Sequence, residues 1–117
     1  MTSRSKLLTR LLNLLEERLK QVGAWQVIKP EAAAFNSHTP FCVDTMSIEQ
    51  WLRYVFLPRM RALIDAGKSL PTSCAITEHL EMALSHHEKA RVMEVTLAID
   101  QLLTEQKIPS LSLMKQV

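Results

Sequence analysis

The sequence DTMSIEQWLRYVFLPRMRALIDAG, residues 44–67, is the most apolar helical stretch of the chain and decides its fold. With about 100° of rotation per residue, its large apolar side chains fall in one broad arc of a helical wheel. This arc is wider than a surface helix needs, and it predicts a central helix that is covered on more than one side. The arc contains Trp51, Val55, Ile48, Leu52, Leu63, Phe56, Met60, Ile64 and Leu57.

The ends and the middle of this segment carry further signals. Ser47 and Gln50 have the spacing of a capping box, in which each side chain satisfies a free backbone N–H at the helix start. Gly67 supplies a C-terminal stop. Pro58 has no N–H to donate to the carbonyl of Tyr54, so we expect the helix to bend or restart there.

Arg59 falls within the apolar arc of the same wheel. A guanidinium in that position must find a carboxylate, extend outward to water, or be turned away by the kink. We expect a buried or half-buried ion pair with one of three acids, Asp44, Glu81 or Asp100. Glu81 is the first choice because it lies in the apolar sequence LEMAL, residues 80–84.

Composition predicts a small all-α protein. The chain has 117 residues, 47% of them hydrophobic, and two glycines, which favours helices over a turn-rich β architecture. We predict one domain over residues 1–106, a bundle of about four helices, followed by a loosely ordered tail over residues 107–117. The net charge of +2 comes from 14 basic and 12 acidic residues scattered along the chain, which is not the concentrated basic stripe of a nucleic-acid-binding protein.

The remaining helices follow from apolar periodicity. The first should cover residues 3–22, with a leucine stripe toward the core. A short helix is expected near residues 77–84. The last helix should begin at a capping box formed by Ser85 and Glu88 and end near residue 106.

Residues 25–46 form a long aperiodic connection between the first two main helices. Loops of this length are either functional or held by their own side chains. Trp25, Phe35 and Phe41 are suited to anchor the loop against the bundle, so we predict an aromatic-anchored loop.

The last helix has two apolar faces. One carries Val92, Val95 and Ile99 and is suited to the core, whereas the other carries Met93 and Leu97. A second apolar face requires a second neighbour, which is another helix, a partner protein or a second copy of the chain. Met93 and Leu97 are therefore candidate partner contacts, and homo-oligomerisation stays open.

The sequence contains no established catalytic or metal-binding motif, and we expect neither an enzyme nor a cofactor. His38 and Cys42 have a spacing that two metal ligands could use, but no second pair stands at a suitable distance. Cys42 and Cys74 are interpreted as reduced core thiols. The leucine-rich N-terminus is interrupted by charges, which argues against a signal peptide or a membrane span and favours a cytoplasmic protein.

Arg53 and Arg61 place positive charge beside Trp51 and Tyr54 on the central helix. Cations next to aromatic faces can contact RNA. The simpler interpretation, which we prefer, is that these arginines are solvated and the tryptophan belongs to the core.

The sequence FNSHTPFCVDTMSIEQWLRYVFLPRMRALID at 35–65, with LP at 70–71 and EMAL at 81–84, resembles the YqcC-like bacterial proteins. These are small, uncharacterised proteins labelled by association with tRNA pseudouridine synthase C. The resemblance implies an α-helical bundle and a link to an RNA-modifying enzyme. It transfers no catalytic residue, and the chain lacks the catalytic aspartate motif of a pseudouridine synthase.

Three functional hypotheses result. The leading one is a non-enzymatic interaction module, an accessory partner of a tRNA pseudouridine synthase. The second is direct RNA binding through Arg53, Arg59 and Arg61 of the central helix. The third is a pocket for an anionic small molecule between the loop 25–46 and the central helix, where Asp44, Trp51 and Arg59 would converge.

Overall fold

The computed structural model describes residues 3–116 and confirms the predicted all-α fold. Within this range there is no β-strand, and no helix is long and apolar enough to cross a membrane. Met1 and Thr2 of the predicted domain and Val117 of the predicted tail lie outside the described residues. The α-helices are α1 (Ser3–Gln21), α2 (Ile48–Trp51), α3 (Leu57–Asp65), α4 (Ile76–Ala83), α5 (Lys89–Glu105) and α6 (Leu111–Met114).

The core is built on the leucine stripe of α1. Five of its leucines have almost no exposed surface, and the stripe packs most extensively against α5. Helix α5 packs on its other side against α4, while α1 also contacts α3. The fully buried leucines of the stripe are Leu8, Leu11, Leu12, Leu15 and Leu19.

The central helix consists of α2, a π-helical turn at Leu52–Phe56, and α3. Its predicted caps are confirmed. The Ser47 hydroxyl accepts a hydrogen bond from the Gln50 backbone N–H, and the Gln50 side chain accepts one from the Ser47 N–H. Gly67 follows the last turn with φ +65°, a left-handed conformation that glycine adopts at low cost.

The π-helical turn absorbs Pro58 without ending the helix. The backbone N–H of Leu57 donates to the carbonyl of Leu52, a bond over five residues in place of the usual four. Such a turn contains one extra residue and changes the phase of everything that follows it. A regular helix continuing from Val55 would bury Arg59, whereas with the added residue Arg59 is exposed and the next residue, Met60, is still buried.

The predicted burial of Arg59 was therefore wrong, because a wheel at constant pitch cannot represent a π-helical turn. The apolar arc was otherwise well predicted: of its nine members only Leu63 is half-buried and the rest are buried. Pro58 is exposed beside Arg59.

The loop over residues 25–46 is anchored by its aromatic side chains, as predicted. Trp25, Phe35 and Phe41 are half-buried and pack against the core. The Phe41 ring stacks on His79 at 4.3 Å between centroids and meets the Trp51 ring edge-on at 4.9 Å. Phe41 adopts φ +59°, an unfavourable conformation for a residue with a side chain, and these ring contacts hold it there.

Two predictions at the C-terminal end of the chain need correction. Helix α5 begins at Lys89, and no side chain caps it, so the predicted box of Ser85 and Glu88 does not form. The tail predicted to be loosely ordered contains α6, whose Leu113 and Met114 are buried. The sequence of the tail shows no clear period, because within its described residues α6 is a single short turn that buries Leu113 and Met114.

Polar contacts also hold the tail. The Arg10 guanidinium donates to the carbonyl of Met114 at 3.2 Å, and the Arg18 guanidinium donates to the side-chain oxygen of Gln116. Arg18 lies on α1 and is only 5% exposed. It also donates to the carbonyl of Arg91 at 2.7 Å and pairs with Glu94 at 3.1 Å.

Candidate protein-interaction groove

An apolar groove lies between α4 and α5, and its lining is more apolar than that of four other concave surfaces on the described residues. It encloses about 570 Å³. Met93 and Leu97 of α5 and Met82 of α4 supply its large apolar side chains, and Met82 is 85% exposed and Leu97 47% exposed. We call this surface the α4–α5 groove. Its remaining lining residues are Cys74, Ala75, Thr77, Glu78, Glu81, Asp100, Gln101, Thr104 and Glu105.

The groove contains both partner-contact residues predicted on the second face of the last helix. Met93 and Leu97 are one helical turn apart, so their side chains emerge on the same side of α5. Short α4 covers the neighbouring side of α5 and leaves this pair accessible. The structure thus places Met93 and Leu97 together with Met82, which the sequence had not singled out.

Helix α4 is held in place by the buried carboxylate of Asp100. Its N-cap residue, Ala75, has no side chain that can cap a helix. Asp100 performs that task from α5, accepting hydrogen bonds from the backbone N–H groups of Ile76 at 3.1 Å and Thr77 at 3.0 Å. The Thr77 hydroxyl donates to the same carboxylate and lies 2.9 Å from the hydroxyl of buried Thr96.

A sequence signal for this network existed. Thr96 and Asp100 are four residues apart on α5, within the stripe that also buries Val92 and Leu103. Two polar residues inside an apolar stripe indicate a buried hydrogen-bonding network. Asp100 was a candidate partner for Arg59, but its partners in the structure are the backbone N–H groups of Ile76 and Thr77 and the Thr77 hydroxyl, and no sequence spacing displays this helix cap.

The rim of the groove is acidic. Glu78 and Glu81 of α4 and Glu105 near the end of α5 line it and are exposed, and the lining residues include no lysine or arginine. Lys89 lies beside this rim, with its ammonium 3.8 Å from the Glu81 carboxylate and donating to the Glu81 carbonyl. Since the chain as a whole carries a net charge of +2, this surface differs in sign from the average of the molecule.

Cys74 lies in the wall of the groove and is half-buried. Burial, followed by the neighbouring Asp100 carboxylate, raises the pKa of its thiol from 9.0 to about 12. Its backbone is fixed by Thr104, whose hydroxyl accepts from the Cys74 N–H and donates to the Cys74 carbonyl, both at 3.0 Å. Cys74 and Cys42 are both free thiols, as predicted.

The structure does not bring together Asp44, Trp51, Arg59 and Glu81, the residues of the predicted ion-pair or binding site. Trp51 is buried against Phe41 and Phe56. Arg59 is exposed and, across residues 3–116, takes part in no ion pair. Glu81 pairs with Lys89 instead. The predicted Arg59–Glu81 pair is therefore wrong, because the π-helical turn leaves Arg59 exposed.

Asp44 is a loop residue on the surface. It accepts a hydrogen bond from the hydroxyl of Ser37, and this bond holds the pKa of the exposed carboxyl below its usual value. A cavity of about 520 Å³ does lie between the loop 25–46 and the central helix, but Asp44, Trp51 and Arg59 are not among its lining residues. Lys29, Glu31 and Gln50 are its charged and amide side chains, and five smaller or apolar residues complete it: Ile28, Pro30, Ala33, Ala34 and Thr45.

Two of the three candidate RNA-contacting arginines, Arg53 and Arg61, are engaged within the protein, whereas Arg59 is exposed. Arg53 donates to the carbonyl of Trp25 at 2.6 Å, and its guanidinium lies 4.5 Å from the centre of the Trp25 ring. Arg61 pairs with Glu16 of α1 at 3.0 Å. Lys20 donates to the same carboxylate, and these contacts, that of Lys20 first, lower the pKa of Glu16. Both arginines thus connect the central helix to its neighbours.

The residue types that could hold a metal ion are dispersed. Within the described part of the chain no three histidine, cysteine, aspartate or glutamate side chains cluster in a way that could bind one. His38 is exposed in the loop, and His79 stacks against Phe41. His86 lies 3.9 Å from Glu49, a contact that becomes an ion pair only when the imidazole is protonated.

Comparison with known proteins identifies relatives over most of the chain. An uncharacterized protein of Haemophilus influenzae is 39% identical over 92 residues, which are 78% of this chain and 87% of that protein. The uncharacterized protein YqcC of Escherichia coli K12 is 34% identical over 96 residues, 80% of this chain and 88% of that protein. The solution NMR structure of YqcC from E. coli matches with a TM-score of 0.76 and 32% identity, over 92% of each chain.

A third relative is a much longer protein. It is named tRNA pseudouridine synthase C, from Pectobacterium carotovorum, and is 52% identical over 59 residues. These residues are 50% of this chain but only 16% of that protein, so most of its length has no counterpart here. The profile of one family, described as tRNA pseudouridine synthase C, matches residues 7–102. The chain therefore belongs to this family, which it shares with the YqcC-like proteins.

Proposed function

We propose that this protein is a non-catalytic interaction module and that the α4–α5 groove receives its protein partner. The observation that carries the proposal is the exposure of Met82 and Leu97 together in an apolar groove. Side chains of this size in one concave patch are unfavourable in water and are typical of surfaces that another protein covers. We place the protein in the cytoplasm, where RNA-modifying enzymes would be accessible to it.

We further propose that the partner is a tRNA pseudouridine synthase. The support is the longer P. carotovorum protein, which bears that name and includes a segment 52% identical to half of this chain. When a segment resembling a small protein forms part of a longer chain, the two parts are held at high effective concentration. A small protein that is not covalently joined to the enzyme must bind the enzyme non-covalently, through a surface such as the α4–α5 groove.

The proposal of a non-catalytic role rests on the chemistry of the groove. Cys74 stays protonated near neutral pH because its pKa is raised to about 12, and a protonated thiol is a poor nucleophile. The Asp100 carboxylate is occupied by the N-terminus of α4. Neither group is thus poised to activate a substrate.

The RNA alternative has less support because Arg53 and Arg61 already contact Trp25 and Glu16, which leaves Arg59 as the one exposed arginine among its three candidates. The anionic-ligand alternative has less support because Asp44, Trp51 and Arg59 do not share a cavity. The interaction-module proposal requires no rearrangement of these residues.

Titration calorimetry of this protein with a purified tRNA pseudouridine synthase from the organism that encodes this chain tests the proposal. We expect a complex that the double variant Met82→Ser/Leu97→Ser weakens by at least about tenfold, the effect of losing two apolar anchors. Ile28→Ser is the matched control, because Ile28 is also 85% exposed but lies in the loop. Absence of binding at high micromolar concentration, together with no effect on the modification of tRNA by that enzyme, would reject the proposed partner.

A further inference from the structure

The α4–α5 groove has the residue spacing of a surface made for another helix. The side chains that α5 contributes include Met93, Leu97, Asp100 and Thr104, at intervals of four, three and four residues. This alternation is the spacing of the seam between two packed helices. From Met93 to Glu105 the seam is about 18 Å long at 1.5 Å per residue, the length of roughly three helical turns.

The polar residues of the seam do not need a partner's hydrogen bonds. Asp100 caps α4, and Thr104 is bound to the backbone of Cys74. Among the described residues no buried side-chain nitrogen or oxygen lacks a partner. An occupant would therefore form no needed hydrogen bond by placing polar groups against the floor of the groove, and its contacts there should be apolar.

The apolar contacts of the groove suit adaptable packing. Met82 extends from α4, and Met93 and Leu97 extend from α5, so both helices contribute apolar side chains to the groove. Methionine side chains are unbranched and adjust to the shape of an inserted residue. An amphipathic helix that places leucine, isoleucine or methionine side chains one turn apart would fill this floor.

The charges on the rim determine the polar face of the occupant. Glu78, Glu81 and Glu105 surround the apolar floor with no lysine or arginine among the lining residues, and Lys89 offsets only Glu81. A helix with acidic flanks would meet like charges here, whereas lysines or arginines on its flanks would meet opposite ones. Charge complementarity therefore favours a basic helix over an acidic one.

We infer that the α4–α5 groove binds a short basic amphipathic helix of the partner protein, about three turns long, with apolar residues facing Met82, Met93 and Leu97 and with lysines or arginines beside Glu78 and Glu105. This inference rests on the proposed function in that it names the segment by which a partner would bind. A second copy of the chain and a small apolar ligand are the competing occupants.

Two probe peptides test the inference without knowledge of the natural partner. Both are about 14 residues long, capped at each end, and share one leucine pattern at helical spacing, but one carries lysines on its flanks and the other glutamates. Fluorescence anisotropy measures their affinities, and NMR spectra of the labelled protein locate the binding site. We expect the lysine peptide to bind at least about tenfold tighter and to shift amide signals of α4 and α5.

Charge reversal on the protein provides the matched test. Glu78→Lys/Glu105→Lys should remove the preference for the lysine peptide, whereas Glu17→Lys, at an exposed position of α1, should leave it unchanged. Circular dichroism and urea unfolding check that each variant is folded. Equal affinity for the two peptides, signal shifts outside α4 and α5, or self-association of the chain that Met82→Ser abolishes would each overturn the inference.

The two proposals fail in distinguishable ways. If the synthase binds the original protein and the Glu78→Lys/Glu105→Lys variant equally well, the basic-helix inference is wrong and the interaction with the synthase stands. If the synthase does not bind but the lysine peptide occupies the groove as expected, the proposed partner is wrong and the chemistry of the groove stands.

Discussion

Asp100 on α5 caps α4 through Thr77, whose backbone N–H donates to the carboxylate at 3.0 Å and whose hydroxyl donates at 2.7 Å. The N–H of Ile76 donates to the other carboxylate oxygen. Removing Asp100 leaves two backbone donors at the start of a helix without partners. The carboxylate therefore fixes α4, and with it one wall of the α4–α5 groove, to α5.

We expect Asp100→Ala to lower the free energy of unfolding by about 2–4 kcal/mol, because it removes three hydrogen bonds to a charged acceptor. Asp100→Asn should cost less, since the amide oxygen can still accept one of them. Urea unfolding measures both changes, with Glu105→Ala on the same helix as an exposed control. A change within experimental error for Asp100→Ala would show that α4 does not depend on this cap.

Arg59 provides a sharp contrast with its neighbour Met60. Arg59→Met should change the free energy of unfolding by less than about 0.5 kcal/mol, as is usual for an exposed residue outside any network. Met60→Ala should cost about 2–4 kcal/mol because it opens a cavity in the core. A loss of about 3–5 kcal/mol for Arg59→Met would instead indicate a buried ion pair and a regular helix through Pro58.

Arg18 and Glu94 should respond unequally to removal although they form one ion pair. Arg18 is 5% exposed and has two further acceptors, Arg91 and Gln116, whereas Glu94 is mostly exposed. We expect Arg18→Ala to cost about 1–3 kcal/mol and Glu94→Ala less than about 1 kcal/mol. Thermal or urea unfolding measures both, and equal losses would place the whole effect in the ion pair.

Cys74 should react slowly with alkylating reagents. Because its pKa is raised from 9.0 to about 12, the thiolate fraction at pH 8 is roughly a thousandfold lower than for an ordinary thiol. In a Cys42→Ser background we expect iodoacetamide to modify the folded protein at least about a hundredfold more slowly than the urea-unfolded protein. Comparable rates would show that the thiol is neither buried nor influenced by Asp100.

The same shift has a consequence for stability at high pH. Because the pKa of the Cys74 thiol is higher in the folded protein than in the unfolded one, its contribution to stability is fully present below about pH 9 and is lost as the pH rises toward 12. The free energy of unfolding of Cys42→Ser and of Cys42→Ser/Cys74→Ala is measured between pH 8 and about pH 10.5. The difference between the two variants gives the contribution of the Cys74 thiol, because all other titratable groups are common to both. The first variant should lose more stability over this range than the second.

Most of the fold could be predicted from local patterns. The leucine stripe of α1, the capping box of Ser47 and Gln50 and the stop at Gly67 each depend on residues close in sequence. Those features have a fixed period or spacing, and the structure confirms them. The second apolar face of α5 likewise identified Met93 and Leu97 as members of the candidate groove.

By itself, the sequence determined that this chain is helical, roughly where its main helices lie and which of their faces are apolar, since these properties follow from local spacing and side-chain chemistry. Only the tertiary structure decided the outward position of Arg59, the capping of α4 by Asp100 and the packing of α6 against the core. The physical reason is that each depends on a phase shift or on a contact between residues distant in sequence. The groove between α4 and α5 depends on a contact of the second kind, because residues of both helices line it.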